Sequence, residues 1–153
     1  MNNKIPINEY IKNALRSCRL AVLATEGGGQ PHASLIAITP VSEFRQIFFA
    51  TYRNTRKFTN LINNGRVAVL IQGEDTELSH EPSGYALTAY GNAQEVGKTD
   101  YEEILKAHVH RNPDLANSLQ SADLAVFLIK IETYQMVRGF DDVTWWPMGD
   151  SGL

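Results

Sequence analysis

Residues 48–70 carry the sequence FFATYRNTRKFTNLINNGRVAVL, in which a strand, a turn, a helix and a second strand follow one another. Apolar residues recur at helical spacing within it, so we predict a helix over residues 55–63. Asn54 is expected to cap the start of this helix, and Gly65 to supply the left-handed residue past its end. The β-branched residues that follow predict a strand over residues 66–72.

The start of the predicted helix combines features that bind phosphate. Thr51 ends the preceding strand, and Thr55, Arg56 and Lys57 open the helix. The first N–H groups of a helix are unpaired and lie at the positive end of its dipole, so they attract anions, and hydroxyls and cations add charge-assisted hydrogen bonds. Cations at this end oppose the dipole at a cost of about 0.3–1 kcal/mol each, which a bound dianion would reverse. The alternative is a solvated basic turn.

The rest of the chain is richer in strands than in helices. Gly91 is expected to form a bulge or bend in its strand. The predicted elements are a helix near 8–18, strands over 20–25, 32–39, 46–51 and 85–96, a helix over 99–110, a short helix opened by Pro113, a strand region over 124–140 and an irregular tail from residue 141.

Six or seven strands and three or four helices occur without strict βαβ alternation. This order favours a mainly β, α+β fold, an antiparallel split β-barrel with flanking helices, as one domain over residues 1–153. The glycine-rich turn over residues 26–31 joins two strands. A phosphate-binding P-loop is excluded there, because no lysine and no helix follow the glycines.

The composition excludes several classes of protein. Of 153 residues, 43% are hydrophobic and 20% charged, and the net charge of −3 disfavours broad nucleic-acid binding. No apolar run is long enough for a membrane helix, and the polar start lacks the layout of a signal peptide. Cys18 is the single cysteine, so it forms no internal disulfide, and no metal-ligand spacing is present. We expect a cytoplasmic protein that binds neither nucleic acid nor membranes.

With the Pro31-His32-Ala33-Ser34 strand, the quoted stretch resembles the pyridoxamine 5′-phosphate oxidase-like, FMN-binding split-barrel family over about residues 20–146. The resemblance implies FMN as cofactor and a homodimer with the flavin in a groove between subunits. It also implies that Thr51 and the Thr55-Arg56-Lys57 triplet hold the FMN phosphate.

The same resemblance implies that the strand beginning at His32 lines the flavin ring and ribityl chain. Tyr134 aligns with a segment that places an aromatic residue near the flavin across the dimer. Trp145 and Trp146 are adjacent, so in an extended segment they point to opposite faces. Trp145 is the candidate flavin contact, and the alternative is that both pack in the core or dimer interface. The candidate residues of the strand are His32, Ser34, Leu35 and Ile36.

The chain departs from the biosynthetic oxidase of that family. His32 and Ala37 stand where that enzyme has an arginine and a lysine, and its C-terminal Arg-x-His motif has no counterpart near Arg138. We therefore expect not pyridoxamine phosphate oxidation but an FMN-dependent oxidoreductase that uses NAD(P)H or another donor on a small molecule, with unassigned catalytic residues. The alternatives are a non-catalytic flavin- or haem-binding protein, with His80 as candidate iron ligand, and a dimer without cofactor.

Overall fold

The computed structural model describes residues 6–75, 83–139, 141–149 and 153. Within these residues it forms three α-helices, three short 3-10 helices and eight strands. None of the described helices is long and apolar enough to cross a membrane. The α-helices are α1 (Ile7–Ser17), α2 (Arg56–Asn63) and α3 (Glu102–Arg111), and the strands are β1 (Leu20–Gly27), β2 (Gln30–Ala37), β3 (Thr39–Val41), β4 (Gln46–Tyr52), β5 (Arg66–Asp75), β6 (Ser83–Val96), β7 (Leu124–Arg138) and β8 (Asp142–Pro147). The 3-10 helices span Lys98–Tyr101, Pro113–Leu115 and Ser118–Gln120.

All eight strands belong to one antiparallel sheet in the order β2-β1-β5-β6-β7-β4-β3, and β8 also pairs with β7. The sheet curves so that β2 contacts β4, but it does not close. The predicted antiparallel split barrel is therefore confirmed, with eight strands in the described residues instead of six or seven. The additional strands are the short β3, which pairs with β4, and β8, which pairs with β7. The strand β8 lies in the tail that was predicted to be irregular.

The core lies inside the curved sheet and is covered by α1. Ile11 and Leu15 of α1 are fully buried against inward-facing strand residues, and the rings of Phe49 and Phe127 stack with centroids 5.4 Å apart. A smaller apolar cluster around Phe48 packs beneath α3. Because apolar burial is the main favourable term in folding, these two clusters fix the sheet on which the site is built.

The pairing of β6 with β7 is irregular at Gly91, where a bulge or bend is predicted, but the bulged strand is β7. The register between β6 and β7 shifts at Tyr90 and Gly91, so that Glu132 of β7 is the extra residue. A Cβ atom at Gly91 would collide with the carbonyl oxygen of Lys130. Glycine is therefore required by the close approach of the two backbones.

The helix α2 is capped differently from the prediction. Its N-cap is Thr55 instead of Asn54, and the Thr55 hydroxyl accepts a hydrogen bond from Phe58 N at 3.2 Å. Gly65 does not supply a left-handed residue, because the helix ends in an extended residue, Asn64, with φ −149°. The helix therefore starts one residue later than predicted, at Arg56.

A buried histidine on α3 should make the stability of the fold depend on pH. His108 is 1% exposed, its Nδ1 lies 2.8 Å from Thr39 Oγ1, and its ring meets Phe48 edge-on. Burial, with a smaller effect of the Arg111 charge, lowers the pKa of His108 to about 4. The unfolded chain thus binds the proton more readily than the folded one. The contribution of neutral His108 to the free energy of unfolding is therefore complete above pH 6.5 and is lost as the pH falls through about 4.

We expect this loss to reach about 3 kcal/mol of unfolding free energy. Urea unfolding of the wild-type chain and of His108→Gln between pH 7 and pH 4 measures it. The variant should be less stable at pH 7 but lose less stability on acidification. Parallel pH profiles would show that His108 is not the titrating group.

Candidate functional site

The opening of the barrel lies between β2 and the end of β4. Among the described strands, β2 pairs with β1 alone, and β3 pairs with β4 only at residues 46–48. Residues 49–52 of β4 therefore have an unpaired edge on the side where β2 contacts β4. Two strand edges with free backbone N–H and C=O groups border this slit, and such groups need partners from solvent or a ligand.

The side chains of β2 alternate between the two faces of the sheet. His32, Ser34 and Ile36 lie opposite the buried residues of β1, whereas Leu35 points outward and is 62% exposed. His32 Nδ1 and Ser34 Oγ are buried and bond to no group of the described chain. Since buried polar atoms almost always have a partner, two such atoms on one strand indicate a place for a bound molecule or water.

Ile36 differs from the other candidate residues of β2. Its side chain is 4% exposed and belongs to the main core. The alternation of the strand turns this side chain inward. Its backbone lies on the free edge of β2, so a contact of Ile36 with a cofactor through the backbone stays a prediction.

The turn before α2 brings the predicted phosphate residues together. Thr51 and Thr55 hydroxyl oxygens lie 3.3 Å apart, and Thr55 donates to Tyr52 O at 2.9 Å. Either hydroxyl can be the donor in the contact between them. The two threonines thus shape the turn that presents the start of the helix, and their contact with a phosphate stays a prediction.

The first turn of α2 is cationic and lacks a compensating carboxylate. Arg56 is exposed and Lys57 half-buried, and no acidic residue occurs in this turn. Among the described residues, no carboxylate forms an ion pair with either, whereas Arg53 pairs with Glu95. Burial lowers the pKa of the Lys57 ammonium, which an anion nearby would raise again. These two cations lie at the positive end of the helix dipole, where an anion is stabilised.

Tyr134 lies in the core instead of the site. It is fully buried, and its hydroxyl donates to Phe44 O at 2.6 Å. Burial raises the pKa of this hydroxyl. Phe44 ends a turn in which Ser42, Glu43 and Phe44 have φ of 52°, 57° and 64°, a conformation that costs about 1–2 kcal/mol per residue. Tyr134 therefore anchors a strained turn in this structure, and its contact with a cofactor stays a prediction.

Trp145 and Trp146 point to opposite faces of β8, as predicted. Trp146 packs against the main core, whereas Trp145 is 53% exposed and stacks on Tyr90 with centroids 5.9 Å apart. Trp146 therefore lies in the core, whereas the place of Trp145 in a dimer interface stays a prediction. Five inter-strand spacings, about 24 Å, separate Trp145 from β2.

The outer face of the sheet is a feature that the sequence reasoning missed. The sequences of β1 and β5 are apolar at successive positions, which predicts apolar residues on both faces of the sheet and could have revealed this outer face. The three central rows of side chains on the outer face contain no charged residue. The middle row, in register from β2 to β8, is Leu35, Val22, Leu70, Thr88, Gln135 and Trp145. We call this surface the outer sheet face. Leu35, Leu70 and Trp145 of this row are exposed hydrophobic residues, and exposed apolar residues grouped on one face make it a candidate contact surface.

The candidate iron ligand His80 lies outside the described residues. Within them, no group of three or more histidine, cysteine, aspartate or glutamate side chains is arranged to hold a metal ion.

Residues 7–138 match the model of a protein family described as pyridoxamine 5′-phosphate oxidase. No curated protein matches the chain in sequence.

Several solved structures share the fold at low identity. A haem-binding protein from Mycobacterium smegmatis superposes with a TM-score of 0.81 at 16% identity, over 94% of this chain, which spans 59% of that protein. An FAD-binding protein from Mesorhizobium loti has a TM-score of 0.70 at 14% identity, covering 86% of this chain and 94% of its own. HutZ, the haem storage protein from Vibrio cholerae, has a TM-score of 0.69 at 20% identity, covering 84% and 92%.

Proposed function

The chain belongs to the pyridoxamine 5′-phosphate oxidase family, and we propose that it is a flavoprotein that binds FMN. The phosphate would lie at the start of α2, and the flavin ring in the slit between β2 and β4. The observation that carries this proposal is the pair of cations, Arg56 and Lys57, without a carboxylate partner among the described residues.

The groups that border the site fit this cofactor. The backbone amides and side chains of Arg56 and Lys57 supply donors to a dianionic phosphate. His32 Nδ1 and Ser34 Oγ, which are buried without partners, supply polar contacts to the ribityl chain or ring. The free edge of β2 offers both N–H and C=O groups to the donor and acceptor atoms of a flavin ring.

A second copy of the chain would complete the site. The outer sheet face has the composition of a protein contact and is wide enough to span six strands. A homodimer is usually related by a two-fold axis, which packs the same face of both copies together. With the axis parallel to the strands, β8 of one copy lies over β2 of the other. Trp145 would then cover the flavin bound to the partner.

The proposed activity is that of an oxidoreductase acting on a small molecule with NAD(P)H or another donor. Bound FMN supplies the hydride-transfer chemistry. The chain's own residues hold the phosphate, orient the ring along β2 and exclude water where the outer sheet faces meet. Because FMN supplies the redox chemistry, the described site needs no acid–base pair or nucleophile from the chain, and none is assigned there.

Titration with FMN and anaerobic reduction test the proposal. The purified chain should bind FMN, and NADPH or NADH should bleach the bound flavin faster than free FMN at the same concentration. Bound flavin that neither donor bleaches would contradict NAD(P)H as the donor. Failure to bind FMN would contradict the proposal as a whole.

A non-catalytic haem- or flavin-binding function is the second candidate. The names of the haem-binding and haem-storage structural neighbours favour it. Addition of haem should then produce a Soret band that His80→Ala removes, and a chain that binds FMN but gives no such band would exclude the haem part. Cytoplasmic localisation stays a prediction.

A further inference from the structure

The outer sheet face gathers most of the exposed large hydrophobic side chains of the described chain. Of the seven such residues, five lie on this face: Leu20, Leu35, Leu70, Val143 and Trp145. The proposed homodimer buries them against a second copy. Apolar contact is non-directional, so polar or charged side chains are needed to fix the position of that copy.

Four charged residues border the uncharged rows at the end of the sheet where β5 begins. Glu26 of β1, Arg66 of β5 and Lys130 of β7 occupy outward positions of their strands, in one row across the sheet. Glu132, the extra residue of β7, lines the same shallow pocket as Glu26 and Arg66. We call these four residues the charged rim.

The charged rim has no internal ion pair. Among the described residues, none of its four side chains forms a salt bridge. The Glu26 carboxylate accepts hydrogen bonds from Asn64 Nδ2 and Gly29 N, next to the β1–β2 turn. The other three side chains are exposed and have no hydrogen-bond partner in the described part of the chain. Their charges are therefore available to a second molecule.

A two-fold axis through the centre of the outer sheet face matches large side chains with smaller ones. The six strands from β2 to β8 are centred between β5 and β6. With the axis there and parallel to the strands, β5 of one copy faces β6 of the other. Ala68 then lies against the partner's Tyr90, and Leu70 lies against the partner's Thr88. Such complementary sizes allow the close packing of an interface core.

The same axis brings the charged rims of the two copies together with opposite charges facing. The strand β1 faces the partner's β7, so Glu26 lies opposite the partner's Lys130. Arg66, on the strand next to β1, comes within reach of the partner's Glu132. Each half of the interface thus contains two carboxylates and two cations, which balance.

We propose that the charged rim fixes the orientation of the second copy, with Arg66 of one copy paired with the partner's Glu132. Glu26 and the partner's Lys130 form the second pair. The inference rests on the proposed homodimer and deepens it, because it names the side chains that select one orientation of the two copies. That orientation is the one that places Trp145 over the partner's β2.

Charge reversals on separate chains test the pairing. Arg66→Glu and Glu132→Arg should each raise the dissociation constant of their own homodimer about thirtyfold, because two ion pairs become two like-charge contacts. When the two variants are mixed in equal amounts, opposite charges meet again on both sides of the axis. Native mass spectrometry should therefore detect more heterodimer than random pairing gives.

Lys12→Glu and Glu9→Arg are the matched control variants. They make the same two changes of charge on α1, where these residues pair within one chain and away from the outer sheet face. Their mixture should contain only the heterodimer expected from random pairing. Thermal unfolding of each variant checks that it folds, and Arg66 and Glu132 are both exposed. A chain that carries both rim changes should dimerise as the wild type does, because its two copies restore the pairs.

The outcomes separate this inference from the function on which it rests. A heterodimer fraction no higher than in the control mixture would overturn the role of the charged rim and leave the homodimer in place. Rescue in the chain that carries both changes, without rescue in the mixture, would show that the pair forms within one chain and would also overturn it. If the wild-type chain is a monomer, the proposed homodimer fails together with the inference, whereas FMN titration still tests the flavin site.

Discussion

Replacing Arg56 and Lys57 together by alanine should weaken FMN binding by at least about a hundredfold. A hydrogen bond to a charged group contributes about 1.5–3 kcal/mol, and both cations are proposed to contact the phosphate. The same change should leave the cofactor-free protein as stable or slightly more stable. The two cations oppose the dipole of α2, at about 0.3–1 kcal/mol each, and no carboxylate of the described chain compensates them.

Calorimetric titration with FMN and thermal unfolding without it measure the two effects. Lys12→Ala with Lys106→Ala is the matched control, because it removes the same charge from cations that pair with Glu9 and Glu103. Riboflavin, which lacks the phosphate, should bind the Arg56 and Lys57 variant as it binds the wild type. Equal FMN affinity in variant and wild type would refute the phosphate assignment.

The start of α2 was predictable because its signals are local. Strand, turn and helix follow one another within residues 48–70, and the cations fall in the first helical turn whichever residue caps it. The cap itself was missed, because Asn54 and Thr55 are both good capping residues and adjacent. As the cap, the Thr55 hydroxyl oxygen accepts from Phe58 N, while its proton goes to Tyr52 O.

The inward position of Tyr134 could not be predicted from alternation along β7. Ile129 and Ile131 are buried, so a regular strand would place residue 133 inside and Tyr134 outside. The extra residue opposite Gly91 reverses this phase, and Tyr134 points into the core. A bulge or bend was predicted at Gly91, but the extra residue lies on β7, and its place depends on a pairing between strands distant in sequence.

The slit and the outer sheet face depend on the same kind of long-range pairing. The free edges of β2 and β4 arise because β1 pairs with β5, far along the chain, and because the pairing of β4 with β3 ends at residue 48 of β4. The side chains from Leu35 to Trp145 form one row only because six strands pair in a particular register. Local patterns indicate which residues alternate but not which strands are neighbours.

Leu70→Arg should dissociate the proposed homodimer, with a rise of at least about a thousandfold in its dissociation constant. Leu70 lies near the middle of the outer sheet face and is 41% exposed, so the monomer tolerates arginine there. In a two-fold dimer the change occurs twice. Each copy loses a buried leucine, about 1.5–3 kcal/mol, and places an unpaired charge in the interface, which costs several kcal/mol more.

Sedimentation equilibrium and thermal unfolding separate the loss of assembly from the loss of folding. Ile62→Arg is the matched control: Ile62 is 54% exposed on α2, away from the outer sheet face, and its replacement should leave the association constant unchanged. FMN affinity should fall in Leu70→Arg, because Trp145 of the other copy no longer covers the ring. A variant that still dimerises as tightly would show that another surface forms the interface. A monomeric variant with full FMN affinity would show instead that each flavin site is complete within one chain.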